Sequence, residues 1–431
     1  MRNTPYPCIL SSIRSVLPVR VSYLVAINDD VPAVFGLPLC EASSLVAAFQ
    51  ITMSIALKPL PLPTSADPSN FTQFGREVLG GDPANLTSAQ FAEVREALYR
   101  HDVLLFRNIA LTPKQQYTLV KAFDPASEKG GHKERTKKSL LGPFIPIPSV
   151  PQVQLIGNGT IYNHEGIKKA KLVHRSHKTF HKTIVSPEDE AAGATRFYRW
   201  DIAAALYEIP PSRVMTLYAV RIPVPAGPQQ VCRYDDDTGV ELPVPLASTV
   251  FVSGKRMFAL LPAQLKSLAV RPRVKSTGLG MESEGREVPY GELPAWEEGK
   301  RTILPMVVWK TPITGELAFQ VHACAAAEIL VDAFPAGAAP KDALYPEGAH
   351  LMDLEEVREL LYRMQRPAIA PQFLYPHDWC ENDLILFNNG GVMQSVVGVL
   401  GPEQIRGLHE CSLAGSDEPA GPSAEDLRRW A

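Results

Sequence analysis

The chain lacks the features by which composition alone reveals a function. Its 431 residues include 6 cysteines, which are scattered without a Cys-x-x-Cys pair, so no zinc ribbon, redox motif or disulfide framework is indicated. The net charge of −3 provides no basic surface for nucleic acid, and the most basic stretch, residues 168–182, predicts a solvated loop. No run of about 18 uninterrupted apolar residues is present, which argues against a membrane span. We therefore predict a cytoplasmic protein that binds neither nucleic acid nor membrane.

The chain does contain enough apolar sequence for a large core, since 45% of its residues are hydrophobic. Length alone is compatible with one large domain or with about two or three smaller ones. Residues 1–53 have short apolar runs and no orderly pattern of elements, so we predict an N-terminal extension outside the folded protein. We place the folded domain at residues 54–415 and a flexible tail, polar and rich in proline and glycine, at residues 416–431.

Three stretches carry the signals of amphipathic helices. Residues 87–90 form a capping box, and apolar residues then recur at helical spacing to about residue 101. A second capping box at residues 112–115, with proline at the first helical position, predicts a helix to about residue 123. A third apolar stripe predicts a helix over residues 354–366, which the proline that follows would end.

Strand-like runs make up much of the remaining chain. They are short, apolar and bounded by proline, glycine or charged residues. They lie at residues 74–80, 103–107, 151–157, 214–222, 249–252, 303–309, 316–322, 383–387 and 392–400. Many strands at irregular spacing with few long helices predict an α+β fold whose core is a two-sheet β-sandwich or jelly roll.

Six short motifs share their order and spacing with a known family. They are residues 196–200 (RFYRW), 233–239 (RYDDDTG), 251–254 (FVSG), 320–322 (QVH), 365–367 (QRP) and 377–379 (HDW). With them the chain resembles the TauD/TfdA family of Fe(II)- and 2-oxoglutarate-dependent dioxygenases, and within it the alpha-ketoglutarate-dependent xanthine dioxygenases, over about residues 54–419. The resemblance implies a double-stranded β-helix (jelly-roll) core with flanking helices, like that of TauD and clavaminate synthase.

Two further motifs supply the three iron ligands of that family, which are two histidines and a carboxylate. In residues 199–207 (RWDIAAALY) the resemblance puts Asp201 at the first histidine position and Ala203 at the carboxylate position. In residues 386–398 (LFNNGGVMQSVVG) it puts Gln394 at the second histidine position. An amide oxygen is a weak donor to Fe(II) and alanine is none. We therefore expect Asp201 and Gln394 to hold a metal ion weakly or not at all.

Two side chains remain as candidates for the chemistry of the pocket. Asp201 is a candidate catalytic acid or base, and its ordinary interpretation is a hydrogen-bonded or solvated carboxylate. Arg406 lies 12 residues after Gln394, the spacing at which the family carries the arginine for the far carboxylate of 2-oxoglutarate. The resemblance implies that Arg406 binds this carboxylate through a bidentate pair. The alternative is a salt bridge to a carboxylate of the protein.

Other positions differ from the family pattern or lie beside its ligands. His409 stands where relatives carry a second arginine, and Ser412 and Val173 stand where they carry an asparagine and a lysine that contact xanthine. His322 and His377 lie inside matching motifs but outside the ligand triad. We interpret both of these histidines as structural.

From the three substituted positions we expect a degenerate oxygenase-fold protein. It would be catalytically silent, or it would perform iron-independent chemistry or binding on a small carboxylated or heterocyclic metabolite in a biosynthetic pathway, alone or with a partner enzyme. The alternative is an active Fe(II)- and 2-oxoglutarate-dependent dioxygenase that hydroxylates a xanthine-like small molecule and uses non-standard ligands. The Arg406 site makes 2-oxoglutarate the expected cofactor in both cases, whereas Fe(II) is expected only in the second.

Overall fold

The computed structural model describes residues 54–63, 66–127, 129–130, 145–178, 180–202, 210–223, 228–276, 302–304, 308–334 and 339–430. Its α-helices are α1 (Ser88–His101), α2 (Pro113–Phe123), α3 (Pro187–Ala191), α4 (Gly254–Leu260), α5 (Ala263–Val270), α6 (Leu354–Gln365) and α7 (Ala424–Trp430). The first ten strands are β1 (Ala56–Pro59), β2 (Arg76–Leu79), β3 (Val103–Phe106), β4 (Ile145–Ile147), β5 (Val150–His164), β6 (Ile167–Leu172), β7 (Ala194–Thr195), β8 (Val214–Arg221), β9 (Pro228–Arg233) and β10 (Glu241–Pro245). The others are β11 (Thr249–Ser253), β12 (Pro272–Ser276), β13 (Thr302–Leu304), β14 (Val308–Lys310), β15 (Leu317–Phe319), β16 (Ala326–Val331), β17 (Ala349–Leu351), β18 (Tyr375–His377), β19 (Leu384–Asn388), β20 (Val392–Val396) and β21 (Arg406–Ser412).

The three predicted helices begin where their capping residues place them. Thr87 accepts a hydrogen bond from the backbone N–H of Gln90, and the Gln90 side chain in turn bonds the Thr87 backbone. Thr112 caps α2 in the same reciprocal way, and the side chain of Asp353 caps α6. These local bonds satisfy N–H groups that a helix start leaves without partners.

The largest sheet has nine strands in the order β1-β2-β3-β19-β8-β21-β5-β4, with β6 beside β5. Successive residues of its central strand β19 point to opposite faces. Leu384 and Leu386 join a core shared with α1 and α2, whereas Ile385 and Phe387 join a second core on the other face. The helices therefore cover the outer face of this sheet.

The inner face of the large sheet is covered by a smaller sheet with the order β18-β11-β20. Phe251 of β11 and Tyr375 of β18 lie in the same core as Ile385 and Phe387, so the two sheets face each other. Smaller sheets, β10-β9-β7, β13-β12-β16-β17 and β14-β15, extend this second layer. This is a jelly roll with flanking helices, and the predicted fold class is confirmed.

The C-terminal stretch corrects a prediction. Residues 416–431 were expected to form a flexible tail, yet they include helix α7, which packs on the domain. Trp430 lies edge-on against Phe258 with ring centroids 5.6 Å apart, and the Lys310 ammonium donates to Asp426 at 2.7 Å. A polar composition hid these two anchors. The boundary predicted after residue 53 stays a prediction.

Residues 168–182 also differ from expectation, because they are not a solvated loop throughout. Their first part forms β6. Further along, His174 Nε2 donates to the Gly398 carbonyl at 2.9 Å, and His181 Nε2 donates to the Phe197 carbonyl at 2.7 Å. The histidines thus tie this segment to the second layer of the fold. Within the described residues no helix is long and apolar enough to cross a membrane.

Candidate functional site

Asp201 and Gln394 lie directly opposite each other in a short antiparallel bridge. The backbone N–H of Asp201 donates to the Gln394 carbonyl at 2.8 Å, and the N–H of Gln394 donates to the Asp201 carbonyl at 3.1 Å. Residues that are opposite each other in an antiparallel pair project their side chains from the same face. The structure therefore brings these two predicted site residues together. The third, Ala203, lies outside the described residues.

His322 lies beside Asp201, which the sequence interpretation did not foresee. It comes after β15 and caps the 3-10 turn Ala323–Ala325. Its Nδ1 is 3.4 Å from Asp201 Oδ1, and the imidazole is only 2% exposed. Neither ring nitrogen has a hydrogen-bond partner among the described residues. The other carboxylate oxygen of Asp201, Oδ2, is 3.7 Å from Nη2 of Arg199.

The His322 imidazole is neutral in this environment. Burial lowers its pKa to about 3, although the Asp201 carboxylate acts to raise it. The contact between the two residues is therefore not an ion pair, even though its length would allow one. A neutral imidazole is the form that binds metal ions.

The donor set at this position fits a divalent metal ion. It offers the Asp201 carboxylate, the unbonded nitrogens of His322 and, from the opposite strand, the amide of Gln394. Within the described part of the chain no group of three His, Cys, Asp or Glu side chains could hold a metal, so a metal ion at this position would need a third donor of another type. One imidazole and one carboxylate match the ligand types that Fe(II) sites of oxygenases use.

Arg406, the predicted 2-oxoglutarate residue, is a buried cation at the start of β21 and is 3% exposed. Its Nε donates to the Ala247 carbonyl at 3.1 Å, and its Nη2 donates to Thr249 Oγ1 at 3.0 Å. Burial lowers its pKa to about 10, which the nearby Glu410 partly offsets. No carboxylate of the described residues forms an ion pair with it, so the predicted salt-bridge alternative finds no partner there.

The strand register relates Gln394 of the smaller sheet to the guanidinium of Arg406, which comes from β21 of the large sheet. On β11, Thr249 lies opposite Val396 and Phe251 lies opposite Gln394. Thr249 and Phe251 are two residues apart and point to the same side. Since the Arg406 guanidinium is bonded to Thr249, it lies about 7 Å along the strand from the Gln394 pair, at about 3.4 Å per residue.

A cavity of about 100 Å³ is lined by chain neighbours of Asp201 and His322. Its lining includes the rings of Phe197, Tyr198, Trp200 and Tyr234 and the guanidinium of Arg199. Trp200 directly precedes Asp201 in the chain, and the residue after His322 also lines the cavity. An aromatic and cationic wall thus lies close to Asp201 and His322 along the chain, although neither of them lines the cavity.

The remaining candidates have other surroundings. His377 is fully buried in a network in which its Nδ1 bonds Tyr375 Oη at 2.7 Å and its Nε2 bonds Asp383 at 3.2 Å, as a structural histidine would be. His409 Nε2 is 2.7 Å from the same atom of His164. Val173 is 57% exposed, which separates it from the buried site residues.

The jelly roll and its polar centre between two strands define the class of a double-stranded β-helix dioxygenase fold. Residues 61–393 match the model of the TauD/TfdA family, described as taurine catabolism dioxygenase TauD. The chain belongs to the TauD/TfdA family. The matched range includes Asp201 and ends one residue before Gln394.

Several curated relatives cover most of the chain. The alpha-ketoglutarate-dependent xanthine dioxygenase of Schizosaccharomyces pombe is 41% identical over 401 residues, which are 88% of this chain and 93% of the relative. The enzyme of that name from Emericella nidulans is 41% identical over 383 residues, which are 84% of this chain and 98% of the relative. A crystal structure of a taurine dioxygenase from Burkholderia xenovorans superposes with a TM-score of 0.51 at 18% identity, covering 86% of this chain and 92% of that one. This last likeness shows the fold alone.

The relatives correct the functional expectation drawn from the sequence. A catalytically silent or iron-independent protein was expected because three ligand positions differ from the family pattern. Relatives that are 41% identical over most of the chain are named as dioxygenases, which favours an active dioxygenase. The expectation rested on three positions, whereas the likeness to these relatives extends over most of the chain.

Proposed function

We propose that this protein is an active Fe(II)- and 2-oxoglutarate-dependent dioxygenase that hydroxylates a small, xanthine-like heterocycle. Asp201, Ala203 and Gln394 stand at the three positions where the family pattern has iron ligands, so the metal would be held by non-standard ligands. Support for the reaction class comes from family membership and from the names of the 41% identical relatives.

The observation that carries the proposal is the environment of Arg406. An arginine without an anionic partner is costly to bury, and Arg406 is 3% exposed without an ion pair to a described carboxylate. Its two donated bonds go to a neutral carbonyl and a hydroxyl. A carboxylate of a small molecule is the partner that would balance this charge through a charge-assisted hydrogen bond.

The spacing along β11 suits a short dicarboxylate. One end would pair with Arg406 at Thr249, and the other would reach the donors at Asp201 and Gln394, about 7 Å away along the strand. This is a distance that a five-carbon dicarboxylate spans. Arg406 and Thr249 would therefore fix both the position and the direction of 2-oxoglutarate.

Fe(II) bound at Asp201 and Gln394 would supply the reaction of O₂ with 2-oxoglutarate and the oxidation of the substrate. The chain's own contribution is positioning. The buried guanidinium of Arg406 holds one carboxylate away from water, and the aromatic wall formed by Phe197, Tyr198 and Tyr234 can stack on a flat heterocycle. Arg199 at the same wall can bond to the oxygen atoms of such a ring.

A turnover assay tests this proposal. Purified protein is incubated with Fe(II), ascorbate, 2-oxoglutarate and a panel of purines that includes xanthine, and succinate is measured. Succinate that depends on protein, iron and one of the purines is the expected result. If succinate stays at the blank level with every purine, in protein that is folded and loaded with metal, the proposal is wrong.

A further inference from the structure

We infer that His322 is a metal ligand of this protein and that it binds one divalent cation together with Asp201 and Gln394. This inference rests on the proposed function, in which the bound cation is the Fe(II) of a dioxygenase. It assigns a metal-binding role to an imidazole outside the family's ligand positions.

The first step is the state of the His322 ring. A buried imidazole ordinarily bonds at least one partner, yet both nitrogens of His322 lack one among the described residues, with 2% of the residue exposed. By contrast, His377 is as deeply buried and has a partner at each nitrogen. The His322 nitrogens thus have unused hydrogen-bonding capacity in a buried position.

The second step is the distance between the two donors. Nitrogen and oxygen ligands lie about 2.0 to 2.2 Å from a first-row divalent ion, so two neighbouring ligands of one ion are separated by about 3.0 to 3.5 Å. His322 Nδ1 and Asp201 Oδ1 are 3.4 Å apart without a hydrogen bond between them. This separation matches a shared cation. Arg199 Nη2 is 3.7 Å from the other carboxylate oxygen of Asp201.

The third step is the position of Gln394. Its reciprocal backbone bonds with Asp201 place the two side chains on one face. The Gln394 amide oxygen is then a neutral donor on the side of the carboxylate. An imidazole, a carboxylate and an amide give a mixed set that suits Fe(II), Mn(II) or Co(II) better than Ca²⁺, which prefers oxygen ligands alone.

The backbone around His322 is held in place from the α6 side. Gln365 is buried, and its Nε2 donates to the carbonyl of Val321 at 2.8 Å. The His322 carbonyl itself accepts bonds from the N–H groups of Ala325 and Ala326. These bonds hold the backbone of His322 in place on both sides.

Binding of Mn(II) to the purified full-length chain tests the inference without turnover. We expect one Mn(II) per chain. We expect His322→Gln to weaken Mn(II) binding at least about tenfold, since mutating even a residue that only hydrogen-bonds a metal ligand weakens metal binding by about that factor. The matched control is His350→Gln, because His350 is 46% exposed and bonds Glu328 on another sheet. Melting temperatures of both variants confirm that they are folded.

Pulsed EPR of the Mn(II) complex gives a direct readout. Among the three proposed ligands only His322 provides a nitrogen, so imidazole modulation should be present in the unchanged chain and in His350→Gln, and absent in His322→Gln. Gln394→His should add a second imidazole and tighten Mn(II) binding at least about tenfold. An unchanged affinity in Gln394→His would remove Gln394 from the site.

The outcomes separate this inference from the proposed function. Absence of Mn(II) binding, or imidazole modulation that persists in His322→Gln, overturns the inference. If His322 binds the metal but no succinate forms with any purine, the ligand assignment stands and the proposed function fails. If succinate forms while His322→Gln leaves Mn(II) affinity unchanged, the proposed function stands and His322 is not a ligand.

Discussion

The Nδ1 atom of His322 lies 3.4 Å from Oδ1 of Asp201 without forming a hydrogen bond. Asp201 in turn pairs with Gln394 through two backbone hydrogen bonds. A carboxylate, an imidazole and an amide are thereby gathered at one end of the smaller sheet. The guanidinium of Arg406, from β21 of the large sheet, bonds Thr249, which is two residues along β11 from the partner of Gln394.

Arg406 should determine the affinity for 2-oxoglutarate. Arg406→Ala removes a charge-assisted hydrogen bond and should weaken binding of 2-oxoglutarate by about 1.5–3 kcal/mol, measured by calorimetry on the metal-loaded protein. Arg273→Ala is the matched control, because Arg273 is half exposed and pairs with Asp332. Equal affinities in the two variants would show that Arg406 is not the carboxylate site.

Gly157 should be required for the position of Arg406. Its φ is +143°, and a Cβ atom there would lie 1.8 Å from the Arg406 carbonyl oxygen. Gly157→Ala must displace β21 and should lower the free energy of unfolding by about 2–4 kcal/mol and weaken 2-oxoglutarate binding. Gly401→Ala, whose Cβ would have ordinary contacts, should change neither. Normal stability of Gly157→Ala in urea unfolding would contradict the register.

Acid should destabilise the fold well above the pH at which carboxylates titrate. Burial lowers the pKa of His101 to about 4 and those of His174, His322 and His409 to about 3. In the unfolded chain each binds a proton near pH 6.5, so between about pH 6.5 and 4 the unfolded state binds more protons and stability falls as pH falls. Burial also raises the pKa of Asp102 to about 7. This shift makes the folded state bind more protons and so opposes the loss of stability, but it is one group against the four histidines.

The measurement for this prediction is the urea midpoint at about pH 7.5 and about pH 5 at constant ionic strength. The midpoint should be lower at the lower pH. A midpoint that rises or stays constant would show that these histidines are protonated in the folded protein.

Filling the cavity should affect the heterocycle and not the metal. Cys324 lines the cavity. Cys324→Phe should therefore raise KM for the heterocyclic substrate at least about tenfold, because the added ring would occupy space that the substrate needs. Mn(II) affinity should be unchanged. Cys380→Phe is the control at an exposed cysteine outside this lining. An unchanged KM in Cys324→Phe would place the substrate elsewhere.

Local signals in the sequence predict much of the fold. The capping residues Thr87, Thr112 and Asp353 fix the starts of three helices because they act within one turn of the chain. Helices α4 and α5 were not predicted, because they are short and their apolar residues contact distant strands. Helix α7 was taken for a tail because its stability depends on the contact of Trp430 with Phe258, which no local pattern encodes.

The site is harder to predict from the sequence than the fold, because it too depends on contacts between residues that are distant in the chain. The match to a family pattern put Asp201 and Gln394 at one site, and the structure pairs them. His322 is 121 residues beyond Asp201 by the printed numbering, and only the packing of β15 against the smaller sheet and α4 brings it there. Strand register, which places Arg406 near Gln394, is likewise a property of the assembled sheets.

Labelling with isotopic O₂ tests the central claim, that this chain is an active 2-oxoglutarate-dependent dioxygenase, most directly. The full-length protein, loaded with Fe(II), is supplied with 2-oxoglutarate, the purine that supports turnover and isotopically labelled O₂, and both products are analysed by mass spectrometry. We predict one labelled oxygen in succinate and one in the hydroxylated heterocycle, in equal amounts. Unlabelled succinate, or a hydroxylated product that takes its oxygen from water alone, would contradict the account.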